Sequence, residues 1–286
     1  MANPLLNEKK ANEAAAGWAA PTADEMAARS TTIPGSPLTA PPTMVPPISD
    51  GPVSTWHAGT FTVGGTATAT GVLLVLLVAA AVVGWNQTQA VVNTTGRVGF
   101  PGLAFVGMFV GFICAIVVSF KPMLAKVLGP IYALGEGFFL GVISKFYNEA
   151  YHGIVLQAIG ATLGVFLVML VLYKTRIIKV TERYKRAVIM AMFGLMAFYL
   201  VSFIVNIFSP KTVSFLHNGS GLGIIISIFA AGLASLMLTL DFDLIEKGAK
   251  AGWPKGMEWY AATGLLITLV WLYLELLRLF ALLNRR

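Results

Sequence analysis

The chain has 286 residues, 57% of them hydrophobic and only 12% charged, with a mean hydropathy of +0.77; this excludes a soluble domain and describes a polytopic membrane protein. The net charge is +7, but the basic residues lie in short segments between apolar runs and form no aromatic-interleaved face, which excludes nucleic-acid binding and makes them topology signals and lipid-headgroup contacts. The single cysteine, Cys114, lies inside an apolar run, so an intramolecular disulfide and a cysteine-based metal site are excluded as well.

Residues 1–56 are rich in Ala, Pro, Ser and Thr, with Pro34, Pro37, Pro41, Pro42, Pro46 and Pro47 in close succession. Such a segment cannot bury enough surface to offset its ordering entropy, so a disordered cytoplasmic tail is expected. It has no continuous apolar core behind a basic start, so it does not read as a signal peptide.

Residues 57–286 read as the membrane domain. Seven apolar runs follow one another at 67–85, 99–120, 129–146, 153–173, 187–208, 221–245 and 259–283. Each is long enough to cross a hydrocarbon core of about 30 Å as a helix. Barrel strands would be half as long and would alternate apolar with polar residues, so the expected fold is an all-α bundle of seven transmembrane helices. The third run is the shortest and the richest in glycine.

Most of the Lys and Arg fall in the N-terminal tail and in the segments after the second, fourth and sixth runs. The densest cluster is Lys174, Arg176, Lys179, Arg183, Lys185 and Arg186. The positive-inside rule then places the N-terminus in the cytoplasm and the C-terminus outside.

Small residues recur at four-residue spacing at Gly107 and Gly111, Gly137 and Gly141, and Gly160 and Gly164, and are expected to bring helices together. Gln157, one turn from Gly153 and Gly160, and Ser202 below Asn206 are expected to bond between helices. The ionisable residues need more explanation. Glu136 stands between Gly135 and Gly137 in mid-run, where a carboxylate must be protonated, paired or wet. Glu275 is well inside the last run with Arg278 three residues on, in reach of a same-helix ion pair. Asp241, Asp243 and Glu246 follow directly on the uncharged stretch 221–240. Asp241 continues the small-residue stripe Ser227, Ala231, Ala234 and Leu238, whereas Asp243 and Glu246 point toward headgroups or Lys247 and Lys250.

Gly135-Glu136-Gly137, the Gln157-Ala158 helix, Leu240-Asp241-Phe242-Asp243-Leu244-Ile245 and Trp271-Leu272-Tyr273-Leu274-Glu275 together resemble the Bax inhibitor-1 family, in particular its bacterial YccA-like branch. The resemblance covers about residues 60–283. It implies a last helix wrapped by the other six, in the inner (cytoplasmic) membrane. It also implies either a pH-sensitive leak of calcium and protons or, as the alternative, a non-catalytic regulator of a membrane AAA protease or other membrane proteins.

In channel-like members a carboxylate near the end of the sixth helix pairs with one on the seventh as a pH latch. By motif match these are Asp241 and Glu275; Glu136, Asp243, Arg278 and Gln157 are further candidates for an ion path or its network. Here the seventh-helix acid is Glu, one methylene longer than usual, and a second Asp stands at 243. Two carboxyls in hydrogen-bond reach in a poorly solvated bundle would share a proton, and raising the pH would drive them apart. The two meet only if the sixth helix runs on past Asp241 toward Lys250, leaving Gly252 to Lys255 as the turn.

No dedicated metal site, cofactor or enzymatic activity is expected. There is no His-Glu-x-x-His, His57, His152 and His217 fall in separate segments, and no aspartate stands in a Gly-x-Gly-Asp context. No serine stands in a Gly-x-Ser-x-Gly elbow either.

Overall fold

The structure, a computed structural model, describes residues 59–90, 101–208 and 220–285. The expected tail at 1–56 lies outside the described residues. Among the described residues the chain forms α1 (Val63–Ala90), α2 (Gly102–Phe120), α3 (Ala125–Ala150), α4 (Ile154–Lys174), α5 (Glu182–Phe208), α6 (Gly221–Lys250) and α7 (Met257–Asn284), with a short 3-10 turn at Pro122–Leu124 before α3. All seven α-helices are long and apolar enough to cross a membrane. A helix satisfies its backbone polar groups internally, as hydrocarbon requires.

Several helices outrun their apolar cores. The third, expected to be the shortest, has 26 residues against 19 in α2, because Ala125 to Leu128 and Tyr147 to Ala150 extend it at both ends. An apolar run measures the stretch that tolerates hydrocarbon; the hydrogen-bond ladder continues into more polar residues. For the same reason α6 runs through its acidic cluster to Lys250.

The turn to α7 contains Gly252 at φ +66°, a left-handed position that suits glycine. Trp253 is buried there against Gly248 and stacks edge-on with Phe61, ring centroids 5.9 Å apart. The entry to α1 is bonded to the same turn, with Phe61 N donating to the Trp253 carbonyl at 2.6 Å and Lys255 N to the Gly59 carbonyl at 2.8 Å.

The last helix is the central one. In its most apolar stretch 67% of residues are buried, and it packs against α1, α3, α4 and α6. The equivalent stretch of α5 is 11% buried, and α5 leans chiefly on α6.

Backbone-to-backbone contact builds the α1–α2–α3 side. A Cβ on Gly137 or Gly141 would overlap the carbonyl oxygens of Leu77 and Ala81, and Gly107 and Gly135 sit reciprocally on each other's carbonyls. Gly160 and Gly164 depart from the expectation, since a Cβ on either meets open space. The packed face of α4 is instead the one carrying Ile154, Ala158, Thr162 and Met169.

Candidate functional site

Glu275 is 6% exposed on α7. Its Oε1 accepts the Tyr199 hydroxyl proton at 3.1 Å, and Arg278 Nη1 donates to the same hydroxyl oxygen at 2.9 Å. Arg278 also lies over the Tyr199 ring, 5.3 Å from its centroid. The direct Arg278–Glu275 approach is 3.9 Å, too long for a hydrogen bond. The expected same-helix ion pair is thus present but loose, and a tyrosine from α5 bridges its two members.

Asp241 is 1% exposed, on the buried face shared with Ser227, Ala231, Ala234 and Leu238. That face is the one the small-residue stripe marks out. Its depth can be read from neighbouring contacts. Ser227 Oγ lies 3.5 Å from the Glu275 carbonyl, and α6 rises about 21 Å from Ser227 to Asp241. On α5, Tyr184 meets Thr239 at 2.9 Å while Tyr199 meets Glu275, and those tyrosines are about 22 Å apart along the helix. The two routes agree. Asp241 and Glu275 lie at different levels of the bundle, and nothing in this arrangement brings their carboxyls together.

The other acids pair locally or close to hand. Asp243 bonds Lys247 at 2.8 Å. Glu246 does more than meet Lys250 at 2.5 Å: it also accepts from Tyr173 at 2.5 Å and Arg176 at 2.8 Å, which ties the end of α4 to the end of α6. Arg176 holds this contact with φ 60°, a left-handed backbone unusual for a non-glycine residue. Glu136 is half-buried against α2, where a Cβ on Gly111 would stand 2.9 Å from its Oε2. Gln157 is exposed on α4, away from the cluster that the sequence suggests it joins.

Glu258 escaped the sequence reading. It is 5% exposed at the start of α7, and its Oε1 accepts from both the backbone N and the hydroxyl of Thr62 at 2.9 Å. Thr62 Oγ1 in turn accepts from Gly65 N at 2.9 Å, capping α1. The carboxylate thus sits at the positive end of the α1 dipole. A threonine just before an apolar run is a readable cap signal, but its partner lies almost two hundred residues away.

Chemically, α6 and α7 carry three buried carboxylates, Asp241, Glu258 and Glu275; Glu258 is committed to Thr62, which leaves Asp241 and Glu275 at two depths of the bundle. Buried carboxyls within membrane spans are costly and mark ion or proton routes when they face a bundle interior. Among the described residues no group of three His, Cys, Asp or Glu side chains is placed to hold a metal ion.

A family model described as Bax inhibitor 1 like matches residues 3–285. The match reaches well into the N-terminal segment, beyond the resemblance that starts near residue 60. No curated protein matches the chain.

Proposed function

The chain belongs to the Bax inhibitor 1 like family, and from that premise we propose that it leaks cations, calcium among them, across the cytoplasmic membrane, with its N-terminus inside. The observation that carries the proposal is the burial of Asp241 and Glu275 on α6 and α7, two of the most buried membrane helices. A cation stripped of part of its water needs oxygen ligands, which two carboxylates spaced along one route supply in turn. Acid would protonate them and remove the charge that draws the cation in, so the leak falls as pH falls.

In this reading the closed state is maintained at Glu275, where Tyr199 and Arg278 occupy the position a cation would take. The thinly packed α5 is the element that moves to release it. This replaces a shared proton between Asp241 and Glu275 with two separately held stations.

Calcium entry into proteoliposomes tests the proposal. Asp241→Asn and Glu275→Gln should each lower flux about ten-fold, the effect of ~1.4 kcal/mol on one barrier. Tyr199→Phe should raise it at neutral pH. Flux unchanged in all three variants would leave the regulator of other membrane proteins as the better reading.

A further inference from the structure

A cleft of about 510 Å³ runs between α1 and α4, backed by α3 and α7. Its walls include Val78 and Val82 on α1, Ile159 and Leu163 on α4, and Leu266 and Val270 on α7. The hydroxyls that reach it are already committed. Thr70 bonds the Thr66 carbonyl at 2.9 Å, Thr162 the Ala158 carbonyl at 2.7 Å, and Ser144 meets Tyr273 at 2.6 Å. With two protons given to backbone carbonyls and one bond shared by the other pair, these hydroxyls offer a polar ligand little in an otherwise apolar lining, and water gains little there.

Two further features indicate what fits. The cleft extends from Thr70 to Trp85, about 22 Å along α1, which exceeds half of a hydrocarbon core of about 30 Å. At the Trp85 end, Lys145 lies over the indole, 5.1 Å from its centroid, and pairs with Glu149 at 2.6 Å. A tryptophan beside a charged pair marks headgroup level. The cleft therefore begins at an interface, descends through one leaflet and is open on the bilayer side, where Val78, Val82 and Leu163 are each more than half exposed.

We propose that this cleft is a lipid site that takes one acyl chain of a bilayer phospholipid, entering from the leaflet at the Trp85 and Lys145 end. The chain would fill the space between α1 and α4 over the buried face of α7. The site does not depend on the leak.

Photo-crosslinking tests it. The protein is reconstituted in phosphatidylcholine vesicles that include phosphatidylcholine with a diazirine midway along one acyl chain, and the adducts are mapped by peptide mass spectrometry. Adducts at Val82, Ile159 and Leu163 should exceed those at Phe203 and Ile204, equally apolar and exposed on α5, several-fold. Leu163→Trp should fill the cleft and remove that excess without changing labelling of α5. Val82→Trp, on the opposite wall, serves the same purpose if the first variant does not fold. Equal labelling of the two faces would overturn the proposal, as would cleft labelling by a diazirine-bearing free fatty acid but not by the phospholipid.

Discussion

Glu258 and Gly65 share one small space at the junction of α1 and α7. A Cβ on Gly65 would overlap the Glu258 carboxylate, so Gly65→Ala must displace the group that caps α1. Glu258→Ala removes that group outright and should cost about 1–3 kcal/mol, the price of leaving a buried donor unmet. Because both changes remove one interaction, the double variant should be little worse than Glu258→Ala alone, and unfolding in mild detergent would read the non-additivity. Additive losses would mean that the carboxylate is not what holds Thr62. Among the acids, sequence placed Asp241 on its buried stripe, because spacing on a single helix is local information. It could not supply Tyr199 as the partner of Glu275, since α5 carries no signal of which face meets α7.

Helix by helix, identical spacing has unequal consequences. Gly141 in α3 lies against the Ala81 carbonyl, so Gly141→Ala should push α1 and α3 apart and cost about 3 kcal/mol by overpacking. Gly160 in α4 has open space, so Gly160→Ala should be neutral or gain about 0.5–1 kcal/mol from helix propensity. Thermal unfolding of the two variants should therefore move in opposite directions, or at least differ clearly. Equal destabilisation would show that α4 uses this face after all. The spacing establishes that two small residues share a face, but the identity of the facing helix depends on tertiary packing, which is why one pair of the three meets no helix. The acidic end of α6 was legible for a different reason: Gly252-Trp253-Pro254 is a turn signal strong enough to place the helix end near Lys250.

Across the whole bundle, the spacing of the apolar runs indicates seven spans, and the family resemblance supplies a central last helix. Both hold in the structure. What changes is the relation between the two carboxylates. A motif match puts Asp241 and Glu275 in one latch, but two long antiparallel helices joined by a short turn fix their register. That register, read through Ser227, Thr239 and the two tyrosines of α5, separates them by about 20 Å. Stations on one path act on successive barriers, whereas partners in one latch act as a unit. Calcium flux into proteoliposomes, measured for the wild type, Asp241→Asn, Glu275→Gln and the double variant, separates the two. Each single change is expected to lower flux, and the double variant to lower it further than either, because resistances along one path add. A double variant no worse than either single change, or four proteins with the same flux, would contradict this expectation.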